Sequence, residues 1–305
     1  MIGSAREESM ENQWRYGGIA MGELAYLNGN YMPIECAKIP VEDRGLQFGD
    51  SLYEVIRLYG GAPFRAGGHL ERMRAGARVV GLPEDCIDVL PEVVEELARR
   101  SGFGDAFVYI QVTRGVCPRI HAFPSGLQPT VIGTVRPFDR LPEELYVEGA
   151  TAYAEPDIRW GRRDVKATTL LPNILAATRV ARKGGYDAVL VEEDGTITEG
   201  TVSNLFAVID GILRTHPVGE RILSGITRAA VIEAASNKGV EVLEESFRIQ
   251  DLDRATELFF TNTYCEVLPV VRVDDHVVGE GAPGPVSRTL LEGFRDIVRR
   301  ETGSA

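Results

Sequence analysis

The sequence predicts an α+β protein of two domains, and three observations predict it. At 305 residues the chain holds about twice the ~150 residues of an ordinary domain. Hairpin turns recur between strand-like runs rich in Val, Ile, Tyr and Phe, and helical patterns fall between them without the strict strand-helix alternation of a doubly wound sheet. No Walker-type phosphate loop is present.

Along the chain, residues 1–20 are polar and charged with no apolar h-region, so they are expected to form a flexible tail outside the fold, not a secretory signal. A small N-terminal domain is expected over 21–136. In it Asn28-Gly29 follows the strand ELAYL, and Gly60-Gly61 follows LYEVIRLY, both dipeptides suited to tight hairpins. A helix is expected from His69 to Val80, apolar at Leu70, Met73, Ala77 and Val80. Another runs from Pro91 to Arg100, opened by proline and stopped by Gly102. Strands FVYIQVTRG and TVIGTVRPF lead into a linker at 137–142, bounded by Pro137 and Pro142. A larger domain over 143–305 opens with the strand VEGATAYAE. It continues with the irregular DIRWGRRDVK, a helix from Pro172 to about Lys183 closed by Gly184-Gly185, and strands turning at Asp194-Gly195 and Asp210-Gly211. A helix starting near Gly225-Ile226-Thr227 and ending before Gly239, strands ELFFTNT and PVVRVDDHVV, and a helix from about Val286 to Arg300 complete it.

Composition narrows the function. Apolar residues make up 44% and charged residues 26%, the profile of a globular protein with an ample core. Thirty-three Lys+Arg against 45 Asp+Glu give a net charge of −12, which argues against nucleic acid as a partner because phosphate neutralisation needs a basic face. No apolar run approaches the ~18 residues of a membrane span. The four cysteines and four histidines show no metal-ligand spacing, so no metal is expected, and a reducing cytoplasm fits.

Several residues can carry chemistry. Lys166 stands between an arginine-bearing segment and the apolar stretch Ala167 to Leu171, where an amine can be desolvated, its pKa lowered, and a Schiff base formed with a carbonyl. Position alone favours a lysine snorkelling at a domain edge. Glu199 in TITEGTVSNLF, if it points inward, needs a cationic partner such as a protonated pyridine nitrogen; a solvated turn glutamate is the plainer alternative. Ile226 and Thr227 open a helix whose unpaired N–H groups suit a phosphate, although a threonine there can also be an ordinary cap. Thr261-Asn262-Thr263 offers further donors, and Arg72 offers a planar fork for a dianion. Arg119 and His121, two apart, share a face if their segment is extended. With the Tyr53 hydroxyl they would form a carboxylate receptor, against the alternative of a solvated loop.

Eight stretches, EDRGLQFGDSLYEVIRLY, HLERM, YIQVTRGVCPRIHAFP, DIRWGRRDVK, TITEGTVSNLF, THP, LSGITR and FFTNTYCEVLPV, stand in the order found in fold-type IV pyridoxal-phosphate aminotransferases. The chain resembles that family from about Met21 to the terminal helix, and within it the D-amino-acid (D-alanine) transaminases. The resemblance implies a two-domain fold, a homodimer sharing its active site across the interface, pyridoxal 5'-phosphate as cofactor, and exchange of amino groups between D-amino acids and 2-oxo acids. By motif it makes Lys166 the Schiff-base lysine and proton shuttle, and Glu199 the partner of the ring nitrogen. Arg72, Ile226, Thr227 and Thr263 become phosphate ligands, Leu223 packs on the ring and Arg159 lies near it. Tyr53, with Arg119 and His121 from the other subunit, becomes the carboxylate receptor. Alternatives on the same fold are an L-branched-chain aminotransferase, which lacks a PRIH-type receptor, an aminodeoxychorismate lyase, and a catalytically silent dimeric binding protein. Departures from the family pattern are Val202, which cannot donate a side-chain hydrogen bond to the cofactor, and Tyr264 and Cys265, of which Tyr264 is expected to narrow the substrate pocket.

Overall fold

A computed structural model of the chain describes residues 23–304; the tail expected at 1–20 lies outside them. Strands β1 (Leu24–Leu27) and β2 (Asn30–Pro33) are joined at Asn28 and Gly29, whose φ values of 46° and 92° give the left-handed pair that a two-residue hairpin requires. A short helix α1 (Arg44–Phe48) follows, capped by the Asp43 carboxylate, which accepts from Gly45 N–H at 2.8 Å. Then come β3 (Ser51–Tyr59), β4 (Ala62–Pro63), α2 (Ala66–Val80), α3 (Leu90–Ser101), β5 (Ala106–Thr113) and β6 (Thr130–Pro137). These strands form a six-stranded sheet in the order β2-β1-β6-β5-β3-β4. Leu70, Met73 and Ala77 of α2 and Val93, Val94 and Leu97 of α3 bury their apolar faces in one cluster with the sheet. Helix α2 begins three residues before the expected His69, because Arg65 turns the chain in a left-handed conformation and Gly67-Gly68 follow as poor helix formers.

The second half departs from expectation at its start. Val147 and Glu148 do not begin a strand; they end a helix, α4 (Glu143–Glu148), opened by Pro142, with Glu143 and Glu144 favourably placed in its first turn. The strand β7 is Ala150–Pro156. There follow α5 (Leu171–Arg182), β8 (Ala188–Val191), β9 (Asn204–Ile209), β10 (Ile212–Thr215), α6 (Ile226–Asn237), β11 (Val242–Glu244), β12 (Ala255–Asn262), β13 (Glu266–Val273), β14 (His276–Val277) and α7 (Pro285–Thr302). The leg after Asp194-Gly195 is not a continuous strand, although Thr198 N–H donates to Leu190 O and Leu190 N–H to Glu199 O along β8. The eight-stranded sheet runs β11-β10-β9-β12-β13-β7-β8, with β14 on β13. Mixed pairing, parallel at β7-β8, β7-β13 and β10-β11 and antiparallel elsewhere, gives the α+β character expected of the sequence.

The two sheets meet. Tyr59 and Phe64 of the first half pack with Phe206, Phe259 and Phe294 of the second in one buried cluster. Where the halves adjoin, Tyr53 N–H donates to Lys166 O at 3.0 Å and Thr168 N–H to Ser51 O at 3.2 Å, so the chain around Lys166 is pinned to the end of β3. Among the described residues no helix is long and apolar enough to cross a membrane.

Candidate active site

The cavity between the halves is open-mouthed, with about 590 Å³ of empty volume, and is lined by Tyr53, Arg159, Lys166, Glu199, Asn204 and Leu223 among others. Lys166 lies in the irregular segment between β7 and α5, with its ammonium 4.4 Å from the centroid of the Tyr53 ring. That ring stacks on Tyr109 of the neighbouring strand, at 5.7 Å between centroids and 28° between planes, which limits its rotation. The cavity therefore has an amine and a phenol on one side.

Glu199 lies on another side, 4% exposed. Its Oε1 accepts from Arg159 Nη1 at 2.5 Å, and its Oε2 accepts from Asn204 Nδ2 at 2.9 Å and Leu223 N–H at 3.1 Å. Burial pushes the Glu199 carboxyl above its ordinary range and outweighs the opposing pull of Arg159. Glu199 points inward, and the cation it meets is Arg159.

The Leu223 stretch leads straight to a helix terminus. Gly225 caps α6 without a side-chain hydrogen bond, so the first turn at Ile226 and Thr227 leaves its N–H groups open to a ligand. A Cβ on Gly225 would stand 1.9 Å from Asn204 Oδ1, so only glycine permits this approach. Beside this terminus Arg72 Nη1 donates to Ser224 O at 2.8 Å, while its other nitrogens form a two-point pair with Glu54, at 2.7 Å and 2.6 Å. Glu54 is fully buried and also accepts from His69 Nδ1 at 2.7 Å. Burial alone would raise its pKa, yet Arg72 and His69 hold it at about 2. The hydroxyl of Thr261, which pairs in register with Asn204, is buried and finds no partner among the described residues.

The family model of the class IV aminotransferases matches residues 51–273, well over half of the chain. The chain belongs to that family. It is similar to the D-alanine aminotransferase of Staphylococcus haemolyticus, at 37% identity over 90% of this chain and 97% of the relative. Among solved structures it is similar to the branched-chain amino acid aminotransferase of Escherichia coli, with TM-score 0.83, 30% identity, and coverage of 90% of this chain and 94% of that one. A T.th. branched-chain amino acid aminotransferase solved with pyridoxamine 5'-phosphate superposes with TM-score 0.79 at 29% identity, covering 92% of this chain and 95% of that one.

Within this aminotransferase the expected residues fall into four groups. Tyr53, Arg159, Lys166, Glu199 and Leu223 line the cavity, and Arg72, Ile226 and Thr227 meet at its helix terminus. Thr263 lies just past β12 in a turn closed by the Asn262 side chain, which accepts from Tyr264 N–H at 2.7 Å and Cys265 N–H at 2.6 Å. Arg119 and His121 are exposed and do not line the cavity of their own chain. Their segment is bent, not extended. They share an aromatic platform instead: Arg119 lies 4.5 Å from the Phe48 centroid and the His121 ring 5.7 Å from it, while Arg44 holds the backbone at Ile120 O and His121 O.

The departures also have structural outcomes. Val202 is exposed at the cavity rim, and its flanking hydroxyls on Thr201 and Ser203 both donate to the buried Asp187, at 2.5 Å and 2.6 Å. Tyr264 does not line the cavity; it packs on Phe107 and Phe138, with centroids 5.8 Å and 5.0 Å away, because the Asn262 turn directs it to the seam between the sheets. Residues missed in the sequence are Glu54 and Asn204. For Glu54 a signal existed, an acidic residue in the middle of a buried strand.

Proposed function

We propose that the chain is a D-amino-acid transaminase that uses pyridoxal 5'-phosphate to exchange amino groups between D-amino acids of the D-alanine and D-glutamate type and 2-oxo acids. The observation that carries the proposal is the pairing, across one cavity, of the Lys166 amine above Tyr53 with the buried Glu199 carboxylate. The similarity to D-alanine aminotransferase over 90% of the chain supports the choice of enantiomer, as does the Pro118-Arg119-Ile120-His121 segment.

The residues present fit the cofactor. An uncapped helix start, the Arg72 fork and a glycine cradle at 225 suit a phosphate, and the Thr261 hydroxyl remains open to a donor or acceptor. Arg72, Ile226, Thr227 and Thr263 would hold the phosphate, Leu223 would pack on the ring, and Glu199, with Arg159 beside it, would keep the ring nitrogen protonated. The bound cofactor supplies a carbonyl for Schiff-base formation and a ring that stabilises negative charge at the substrate Cα. Lys166 would bond to that carbonyl at rest and, once the substrate amine has displaced it from that carbon, would as a free amine take the proton from Cα and deliver it to the cofactor carbon. Tyr53, with Arg119 and His121 of a partner subunit, would fix the substrate carboxylate. Fixing that carboxylate decides which face of Cα meets Lys166, and hence which enantiomer reacts.

The same reading makes the enzyme a homodimer in the cytoplasm, in keeping with its four free cysteines. It assigns a small domain to 21–136, a linker to 137–142 and a cofactor-binding domain to 143–305; the change of sheet between β6 and β7 supports this. A second reading, an L-branched-chain aminotransferase, is favoured by the solved structures it superposes on. The deciding experiment adds D-alanine, D-glutamate, L-leucine and L-glutamate separately to the loaded enzyme and follows cofactor absorbance. Bleaching by the D-amino acids supports the proposal, and bleaching by L-leucine alone replaces it with the second reading.

A further inference from the structure

The geometry points to Asp157 as a positioning residue that sets the charge on the floor of the cavity: it supplies the negative charge that Arg159 cancels on Glu199. The inference rests on the proposed use of Glu199 to hold a protonated ring nitrogen.

The Asp157 side chain is fully shielded from solvent. Its Oδ1 accepts from Arg159 N–H at 3.2 Å and Nε at 2.9 Å, and its Oδ2 accepts from Arg159 Nη2 at 2.7 Å and from the Thr198 hydroxyl at 2.7 Å. The same guanidinium reaches Glu199 through Nη1. One arginine is thus shared by two buried carboxylates, and the three groups together carry one negative charge.

That sharing matters for the proposed chemistry. Arg159 and Glu199 alone would form a neutral pair, and a neutral pair gives a cationic ring nitrogen little reason to keep its proton in a buried site. With Asp157 present, one negative charge remains for the ring to balance. The neighbouring charges leave this balance in place. Arg163 stands 3.5 Å from Asp157, but its short bond, 2.6 Å, is to Glu192, which Arg221 also approaches at 3.0 Å from the solvent side. Asp157 could instead serve only to hold Arg159 in place, and the two roles predict different spectra.

The test uses enzyme loaded with pyridoxal 5'-phosphate labelled with ¹⁵N in the ring, read by NMR, since the ring-nitrogen shift reports its protonation. In the unaltered enzyme the shift of a protonated ring is expected. In Asp157→Asn it should move toward that of the unprotonated ring, with kcat for D-alanine falling roughly tenfold or more and KM changing less than about threefold. Arg159→Gln removes the opposing charge instead, and its ring should stay protonated. A protonated ring in Asp157→Asn, or loss of the ring proton in Arg159→Gln, overturns the inference while leaving the transaminase reading intact. An unprotonated ring in the unaltered loaded enzyme would count against the Glu199 assignment itself. Should Asp157→Asn not fold, Arg159→Gln decides alone.

Discussion

At the scale of single residues, the site depends on a few side chains that nothing else replaces. Lys166 is the one lysine that lines the cavity among the described residues, so Lys166→Ala should abolish the absorbance change on adding D-amino acid. Normal turnover in that variant would remove the cofactor assignment. Gly225→Ala is a subtler probe. Its Cβ would collide with Asn204 Oδ1, whose amide also holds Glu199 and Leu223 O. We expect a loss of about 1–3 kcal/mol from overpacking, together with weaker cofactor binding, measured by denaturant unfolding and cofactor titration. An unchanged affinity would show that the 223–227 stretch does not hold the phosphate. Lys166 and Glu199 were legible in short ordered motifs, because their chemistry needs those residue types at those places. Asn204 was not: its importance arises only when β9 lies beside β12 and the Leu223 stretch folds over it, contacts between residues far apart in sequence.

At the scale of elements, β3 and α2 act as a pair through Glu54, His69 and Arg72. The Glu54 carboxyl is held at about 2 against an ordinary 4.5, a depressed value, so its stabilisation is present above 4.5 and lost as the pH falls from there toward 2. A shift of that size corresponds to something on the order of 3 kcal/mol. His69 adds to the same trend. Burial lowers its pKa below 6.5, so acid favours the unfolded chain, which accepts the proton more readily. Unfolding midpoints measured from neutral pH to about pH 3 should therefore fall steeply, and Glu54→Gln should flatten the acid limb while lowering stability at neutral pH by about 3–5 kcal/mol. An acid limb as steep in Glu54→Gln as in the unaltered protein would place the acid sensitivity elsewhere. The elements themselves were readable where local chemistry decides them: the Asn28-Gly29 and Asp210-Gly211 turns, and the ends of α3 and α6 at Gly102 and near Gly239. Helix α4 was not, since six residues with only Tyr146 buried carry too little periodicity to distinguish it from the start of β7.

At the scale of the whole molecule the net charge is −12, and within it Arg72, Arg159 and Lys166 gather, the two arginines paired to buried carboxylates, where a phosphate and a ring would sit. Arg119 and His121 lie outside that gathering in a single chain, exposed over Phe48 and absent from their own cavity. A carboxylate receptor built from them requires a second subunit, which a two-fold dimer supplies twice over. Arg119→Ala should then weaken binding of D-amino and 2-oxo acids by about 2–5 kcal/mol, the usual cost of removing one partner of a desolvated charge pair. The proposed arrangement across subunits makes a sharper prediction. When Lys166→Ala and Arg119→Ala chains, each nearly inactive, are unfolded and refolded together in equal amounts, half the dimers are hybrids. Each hybrid joins the intact Lys166 of one chain to the intact Arg119 of the other in one of its two sites. Activity should rise to about a quarter of the unaltered enzyme, at its normal Michaelis constant for D-alanine. If the two variants stay inactive when mixed, although size-exclusion shows hybrid dimers, Arg119 does not act across the interface and the receptor must be sought within one chain.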